Sequence, residues 1–382
     1  MDARRRHAGP PDARIGRPGA KEPAFLSRRA SVMPSRFLKR SLRDFRPYLP
    51  GEQPPDGEDW VKLNTNESPL PPSPKVLEAI QKAADESLRL YPSPTAAAAR
   101  RAIAAHLDVA PDQVALGNGG DELIEMCFRA FAGAGDRVAY STPTYPLLEP
   151  LCRIHEATAA PHASEEGFRW TDAFAYDPAP LKFIVNPNSP TGTWTDAAEV
   201  ERAIEVSRGV VVLDEAYVDF APRHLLALLS RHRNLLILRT LSKSYALAGM
   251  RTGFAVGSAE LIADLDAVKD SYNVNRLAIA AAVAAIEDED HHRRIVEHVV
   301  SEREWLGGRL AGLGFDSSPS HANFVFVRPP GAQGGAAVAD ALREQRILVR
   351  RYDLDPIAGW LRITIGTRPQ HERLLQALKE IV

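Results

Sequence analysis

The stretch that decides the fold is NLLILRTLSKSYALAGMRTGFAVG, residues 234–257. It opens with an apolar run, Leu235 to Leu238, whose length and composition predict a fully buried strand. The run ends in a polar turn that contains Lys243, and a second apolar run begins after Gly253. A lysine past the carboxyl end of a buried strand lies where open α/β sheets bind their ligands. Because desolvation readily lowers the pKa of a lysine, this position suits covalent bonding to a carbonyl group, although most lysines stand in water.

The composition is that of an ordinary globular protein. The chain has 382 residues, of which 45% are hydrophobic and 25% charged, and its net charge of −2 gives no reason to expect nucleic-acid binding. Its length allows two compact units. Two cysteines, Cys127 and Cys152, lie in apolar contexts, which favours core packing in a reducing compartment. No apolar run approaches the roughly 20 residues that a membrane span needs.

The first residues differ from the rest of the chain. Residues 1–40 hold eleven Lys and Arg against three Asp and Glu. Residues 1–37 are rich in Arg, Pro and Gly and are predicted to be a disordered basic extension. Three explanations remain open: a translated upstream stretch with the true start at Met33, a flexible basic arm, or an organelle transit peptide. The last is the least favoured because the segment is too rich in Pro and Gly for an amphipathic helix.

The remaining chain alternates strands and helices. Short apolar strands followed by helical segments, from QVALGNGGDELIEMCF to VVVLDEAY, predict an α/β fold with a mainly parallel sheet and helices on both faces. Beyond about Val274, long helices and the strand-like ANFVFVR and LRITIGT predict a smaller α+β domain. We therefore expect an N-terminal arm at 38–60 that packs with the small domain, a large domain at 61–273 and a small domain at 274–382.

A glycine turn, GNGGDE at residues 117–122, lies between a predicted strand and a helix. Glycines there let backbone N–H groups approach an anion at a helix N-terminus. A dinucleotide fingerprint would require glycine where Glu122 stands, and the chain has no P-loop motif. The turn therefore predicts either an anion site of another kind or a plain tight turn.

Two further polar segments follow predicted strands. Asp214 ends the apolar run VVVLD, where it could cap a helix or pair with a heterocyclic cation. The segment NPNSPTG, residues 186–192, has enough turn-forming residues to be a simple loop. His291 and His292 lie in a charged helical segment and are predicted to form a solvated face, since adjacent histidines lack the spacing of a zinc pair. No metal site is expected.

The order of these motifs resembles that of the fold-type-I pyridoxal-phosphate aminotransferases. The glycine turn, PTYP, NPNSPTG, DEAY and SKS with Arg251 downstream follow one another as in that family, from about Tyr48 to the C-terminus. RPYLPGE, KLNTNESP, RLYPSP, TLSKSYALAGMRTGFAVG and SHANFVFV are most similar to the histidinol-phosphate aminotransferases within it. The resemblance implies pyridoxal 5′-phosphate as cofactor.

The resemblance also implies roles for individual residues. Lys243 would bind the cofactor aldehyde covalently and then carry a proton, Asp214 would pair with the pyridinium nitrogen, and Tyr217 with the phenolic oxygen. Tyr145 would stack on the ring. The remaining residues implied on the cofactor side are Gly119, Gly120, Asp121, Asn188, Thr240, Ser242, Arg251 and, from the neighbouring subunit, Tyr91. That last assignment implies a homodimer with composite sites.

One position departs from the family pattern. Relatives often have Asn immediately before Pro-Thr-Gly to hydrogen-bond the phenolic oxygen, but this chain has Ser189 there with Asn188 beside it. Either side chain could donate. The substrate-side residues that the resemblance implies are Tyr48, Asn66, Asn323, Arg350 and Arg362. Arginine binds carboxylate and phosphate alike, and Arg350 in particular favours a substrate with a phosphate, although Arg351 leaves its register uncertain by one.

The predicted activity is transfer of an amino group between L-histidinol phosphate and 2-oxoglutarate in histidine biosynthesis, by a cytoplasmic enzyme. The alternatives are an aromatic or broad-specificity aminotransferase and a threonine-phosphate decarboxylase-like lyase. A ligand-sensing regulator is a further alternative, but residues 1–37 are too short and too rich in Pro for a DNA-binding domain.

Overall fold

The computed structural model describes residues 35–45, 47–55, 57–332, 334–353 and 355–382. The disorder predicted for residues 1–37 therefore falls almost entirely outside the described residues. Within them the strands are β1 (Val61–Leu63), β2 (Val114–Gly117), β3 (Arg137–Thr142), β4 (Thr158–Ala163), β5 (Leu181–Val185), β6 (Val210–Asp214), β7 (Leu235–Thr240), β8 (Gly253–Gly257), β9 (Asp316–Ser318), β10 (Phe324–Arg328), β11 (Ile347–Arg351) and β12 (Leu361–Thr364). The α-helices are α1 (Pro74–Ala83), α2 (Ala97–Leu107), α3 (Gly120–Phe131), α4 (Leu148–Ile154), α5 (Asp172–Ala175), α6 (Ala197–Glu205), α7 (Ala259–Val268), α8 (Arg276–Ile286), α9 (Glu289–Gly312), α10 (Gly334–Glu344) and α11 (Arg368–Ile381).

The larger sheet has the strand order β2-β8-β7-β6-β5-β3-β4. Strand β8 runs antiparallel to β2 and β7, whereas all the other neighbouring pairs are parallel. The mainly parallel sheet predicted from the sequence is confirmed. Its apolar strands are buried because both faces are covered.

Neighbouring residues along each central strand pack into opposite cores. Phe183 and Leu236 belong to a cluster with α3, α4 and α7, whereas Ile184 and Ile237 belong to a cluster with α5 and α6. Successive side chains of a strand point to opposite faces, so both must be apolar when helices cover both. Polar side chains are left for the strand ends. None of the helices in the described part of the chain combines the length and apolarity needed to cross a membrane.

The smaller sheet has the order β1-β11-β12-β10-β9. The strands predicted from ANFVFVR and LRITIGT are present as β10 and β12. Helices α9, α10 and α11 cover the sheet through Val299, Leu306, Val338 and Leu378.

The boundaries of the domains stay a prediction, but two elements pack elsewhere than the sequence suggested. Strand β1, assigned to the large domain, pairs in parallel with β11 of the smaller sheet. Helix α8, assigned to the small domain, packs against α1 and α2 in the core that contains Ile103 and Leu116. A three-residue strand and an alanine-rich helix have too little sequence pattern to identify their partners.

The N-terminal arm contacts both parts of the protein. At its start, Ser41 donates a hydrogen bond to Glu156 beyond α4 of the larger part (3.2 Å). Further along, Glu52 accepts a bidentate pair from Arg343 of α10, with the shorter distance 2.7 Å. The expectation that the arm packs with the small domain stays a prediction; the residues around Ser41 contact the larger part, whereas Leu49 and Glu52 contact the smaller one.

Candidate active site

The predicted catalytic residues meet at the carboxyl edge of the larger sheet. Asp214 ends β6 and lies opposite Leu238 of β7, and Lys243 follows β7 by three residues. The Lys243 Nζ lies 5.7 Å from the centre of the Tyr217 ring. Parallel strands bring their carboxyl ends to one edge, so residues distant in sequence become neighbours.

Asp214 is a carboxyl group whose charged form is destabilised by its surroundings. Burial raises its pKa to about 6, helped by the negative charges of Asp121 and Glu215, while the Ala216 N–H and the charge of Lys243 oppose the rise. The Ala216 N–H donates to its Oδ1 at 2.9 Å. A positively charged ring nitrogen next to Asp214 would stabilise its ionised form, which the apolar surroundings destabilise.

Tyr217 is held from the opposite side by residues predicted to bind substrate. Its hydroxyl oxygen accepts a hydrogen bond from Asn66 Nδ2 (2.9 Å), and its ring packs edge-on against Phe324. Asn66 has a φ of 55°, which is uncommon for a residue other than glycine. Thr364 Oγ1 accepts from its N–H (3.0 Å) and Asn323 Nδ2 donates to its carbonyl (3.0 Å). Asn66 and Asn323 thus fix Tyr217.

At Gly119 the backbone of the glycine turn lies close to the guanidinium of Arg251. Gly119 has a φ of 86°, and a Cβ built on it would lie 2.5 Å from Arg251 Nη2. A Cβ on Gly253 would lie 3.0 Å from the Gly120 nitrogen. A Cβ on Gly120 would meet open space. The first amides of the 12-residue α3 and a guanidinium therefore surround a place suited to a phosphate.

Asp121 joins two other cofactor-side residues. Its Oδ1 accepts from the Tyr145 hydroxyl at 2.8 Å, and its Oδ2 accepts from Arg251 Nη2 at 3.3 Å. The Tyr145 ring lies 6.0 Å from that of Tyr48. Burial, together with the charge of Asp121, raises the pKa of Tyr145 above its ordinary value, so its hydroxyl stays a donor.

Thr240 and Ser242 shape the beginning of the Lys243 loop. Thr240 Oγ1 accepts from the Ser242 N–H (3.1 Å) and donates to the Thr252 carbonyl (3.4 Å). Ser242 itself is buried. Thr240 lies next to the glycine turn, because it pairs with Gly253, which packs against Gly119 and Gly120.

The two alternatives for the phenolic contact are placed differently. Asn188 uses both amide hydrogens within its own loops, on the Pro143 carbonyl (2.9 Å) and Thr191 Oγ1 (2.8 Å). Ser189 is buried and accepts from Arg362 Nη1 at 3.2 Å. Asn188 therefore links two loops and Ser189 lies beside Arg362; which of the two contacts the cofactor stays a prediction.

Two guanidinium groups stand on one face of the smaller sheet. Arg350 of β11 lies directly opposite Arg362 of β12. Arg362 Nη2 donates to the Asn64 carbonyl (3.1 Å), while its buried Nε has no partner among the described residues. Arg350 Nη2 donates to the Leu49 carbonyl at 3.0 Å. The pair is suited to a substrate with two anionic groups.

Sequence reasoning missed Tyr352 and Glu215. Tyr352 lies two positions beyond Arg350, and its ring meets Phe326 edge-on at 5.9 Å. Burial raises the pKa of Tyr352, against the charges of Arg362 and Arg350 nearby. Glu215 forms a buried ion pair with Arg239 of β7 (2.7 Å). The alternation Arg350-x-Tyr352 was the signal in the sequence that could have identified Tyr352. For Glu215 the sequence offers no signal beyond its position next to Asp214.

Tyr91 does not join this cluster within one chain. Its side chain is 78% exposed, and its ring stacks on Tyr272 at 4.5 Å. Leu88 and Leu90 beside it are also about half exposed. These four residues form an exposed apolar patch, which we call the Tyr91 patch.

Comparisons with known proteins agree with this geometry. The sequence model of the family described as aminotransferase class I and II matches residues 58–378. Histidinol-phosphate aminotransferase 2 of Gluconobacter oxydans is 45% identical over 91% of this chain and 99% of its own length. Histidinol-phosphate aminotransferase of Acetobacter pasteurianus is 42% identical over 91% of this chain and 98% of its own. The crystal structure of the Sinorhizobium meliloti histidinol-phosphate aminotransferase in complex with pyridoxal 5′-phosphate superposes with a TM-score of 0.79, at 28% identity, covering 84% of this chain and 91% of that one.

Proposed function

Because the chain belongs to the class I and II aminotransferase family, we propose that it transfers an amino group between L-histidinol phosphate and 2-oxoglutarate, with pyridoxal 5′-phosphate as cofactor. The observation that carries the reaction type is the convergence of Lys243, Asp214 and Tyr217 at one sheet edge beside a glycine turn. The substrate is supported by the names of the relatives and by the facing pair Arg350 and Arg362.

The residues of the site fit this cofactor. The α3 amides, Arg251, Thr240 and Ser242 would hold its phosphate, and Tyr145 would cover its ring. Pyridoxal phosphate supplies an electron sink for the negative charge that develops at the substrate Cα. Asp214, as a carboxylate, would hold a proton on the ring nitrogen, which that sink requires.

Tyr217 and Lys243 would handle the protons. The Tyr217 oxygen accepts from Asn66, so its own hydrogen is free to be donated toward the cofactor's phenolic oxygen. Lys243 would bind the cofactor aldehyde and, as a free amine, take the proton at the substrate Cα. Packing of Tyr217 against Phe324 keeps water away from this side.

The two arginines would orient the substrates. A planar guanidinium binds carboxylate and phosphate in the same bidentate manner, which lets one pair serve glutamate and a phosphorylated amine in turn. Among the residues that the structure describes, Arg362 Nε has no hydrogen-bond partner, and it would be a further donor for a bound anion. Tyr352 adds a hydroxyl on the same face of the sheet.

We expect purified protein to turn over histidinol phosphate with 2-oxoglutarate much faster than phenylalanine. Arg350→Gln raises the KM for histidinol phosphate by roughly 10- to 100-fold, since a charge-assisted contact is lost, and changes phenylalanine turnover far less. Steady-state kinetics of both donors measure this.

The neighbouring Arg351→Gln is the matched control, since Arg351 pairs with Asp340 at 2.7 Å and is half exposed. It should stay within about twofold of the unmodified protein. Good phenylalanine turnover without histidinol phosphate turnover would indicate an aromatic aminotransferase. Release of carbon dioxide with no need for a 2-oxo acid would indicate a lyase.

We also propose that the protein is a homodimer with composite sites, in which the Tyr91 patch packs on the partner and Tyr91 reaches the partner's phosphate site. Lys243→Ala and Tyr91→Ala homodimers should both be impaired. Co-expressed heterodimers of the two should regain roughly half of the activity per dimer, because one of their two sites is intact. If heterodimers gain nothing, Tyr91 does not act across the interface.

A cytoplasmic location is proposed too, since Cys127 and Cys152 are free and buried.

A further inference from the structure

Asp219 lies at the junction of the two loops that carry the proposed catalytic residues. It belongs to the turn Val218–Phe220, directly after Tyr217. Its Oδ2 accepts a hydrogen bond from Ser244 Oγ, and Ser244 is the residue next to Lys243. One carboxylate therefore ties the Tyr217 turn to the Lys243 loop.

His292 reaches the same carboxylate from α9. Its Nε2 lies 3.3 Å from Asp219 Oδ2, and its ring stacks on Tyr245 at 4.1 Å. The solvated face predicted for the two adjacent histidines is wrong here, because only 20% of the His292 side chain is exposed. His292 thus contacts both Asp219 and the residue after Ser244.

The electrostatics keep this junction charged. Burial alone would raise the pKa of Asp219, but the His292 hydrogen bond and charge, the charge of Arg239 and the Ser244 hydrogen bond hold it at about 2. Arg239 is itself paired with Glu215, and the negative charge of Glu289 on α9 acts on Tyr245. Asp219 therefore stays ionised, and remains a strong hydrogen-bond acceptor, near neutral pH.

Helix α9 spans both parts of the protein. Near its N-terminus, Asp288 accepts from Lys75 (2.9 Å) and His291 Nε2 lies 3.0 Å from the Pro71 carbonyl, both outside the smaller sheet. Further along, Val299 and Leu306 pack in the core of the smaller sheet. Helix α9 therefore connects the core of the smaller sheet with the residues around Asp219.

We infer that Asp219 and His292 are positioning residues, which fix the backbone of Lys243 through Ser244 and make the placement of Lys243 depend on α9. The inference rests on the proposed function, in which Lys243 binds the cofactor. Arg362 lies in the smaller sheet, so substrate binding there would change the placement of Lys243. We call the contacts that run from α9 through His292, Asp219 and Ser244 to Lys243 the route.

Two variants break the route on either side of Asp219. His292→Phe keeps a ring on Tyr245 but removes Nε2, and Ser244→Ala removes the link to the Lys243 loop. Each should lower kcat roughly 10-fold and leave the KM values within about twofold, since the reacting nitrogen is misplaced while the arginines are untouched. Each should also raise, by about half a pH unit or more, the midpoint at which the visible absorbance of the holoenzyme changes, because a looser loop exposes the Lys243 nitrogen to water.

The double variant and a neighbouring histidine complete the test. His292→Phe with Ser244→Ala should be no worse than the more affected single variant, since the route is already broken. His291→Phe, which leaves Asp219 untouched, should change neither kcat nor the midpoint. Additive effects, an unshifted midpoint in both single variants, or an equal shift in His291→Phe would overturn the inference.

Borohydride reduction followed by peptide mapping separates this inference from the proposed function. A label on Lys243 in the unmodified protein, together with unshifted midpoints in the variants, would overturn the positioning role alone. Absence of that label would overturn the assignment of Lys243, and the positioning role with it.

Discussion

Replacing Lys243 by alanine lowers kcat by roughly 10⁴-fold or more, because the variant loses both the covalent attachment of the cofactor and the base at the substrate Cα. The Lys243 Nζ lies beside the buried Tyr217 ring, and its loop is closed by the β7–β8 pair. The loss should appear in single-turnover experiments with saturating substrate, which separate chemistry from binding.

The matched control is Lys82→Ala, which removes an exposed lysine paired with Glu78 on α1. It should keep full activity, since a surface ion pair contributes little to stability. Borohydride should label one peptide of the unmodified protein, that of Lys243, and the label should be absent from Lys243→Ala. A Lys243→Ala protein that retains even a tenth of the activity would contradict the assignment.

Asp214→Asn has opposite effects on the cofactor-free protein and on catalysis. The kcat falls roughly 10²- to 10³-fold, since the amide cannot hold the ring nitrogen in its charged form. Without cofactor, the same change is stabilising near neutral pH. The pKa of Asp214 is raised by burial from 3.8 to about 6, so its ionisation works against the fold as pH rises through that range.

The sign of the pH dependence follows from this shift. The folded state binds the proton more tightly than the unfolded state, so the stability contributed by Asp214 is present below about pH 4 and is lost as pH rises through about 6. At pH 7.5 the cofactor-free Asp214→Asn protein should therefore be more stable by at most about 3 kcal/mol, and the gain should shrink toward pH 5. Denaturant unfolding at both pH values measures it.

Asp264→Asn, a change at an exposed carboxylate of α7, is the control and should leave stability the same at both pH values. Equal stability of Asp214→Asn and the unmodified protein at pH 7.5 would show that Asp214 is not a strained carboxylate. Retained kcat would show that it does not face the cofactor.

The sequence predicted the strand ends better than the long-range contacts. Asp214 and Lys243 follow apolar runs, and the geometry of a parallel sheet is sufficient to bring such ends together. The contact of Asn66 with Tyr217 closes a separation of 151 residues, and no local pattern reports it. The same holds for Asp219 and His292, which are 73 residues apart.

Other differences have local physical causes. Nothing in the sequence indicates that Asn188 uses its amide hydrogens on Pro143 and Thr191, because any asparagine in a turn could point outward instead. His292 was placed on a solvated face because charged residues surround it in sequence, but one histidine of an adjacent pair can still turn inward. The short strand β1 reads equally well for either sheet.

The β7–β8 pairing implies an order in which two parts of the site lose their structure under denaturing conditions. Thr240 and Gly253 are partners across that pair, so the Lys243 loop is closed within a span of a few residues. Arg362 depends on a contact with Asn64 that spans 298 residues. Long closures are the costlier ones in chain entropy. The Lys243 loop is therefore expected to stay closed in a partly unfolded molecule in which Arg362 has already lost its contact with Asn64.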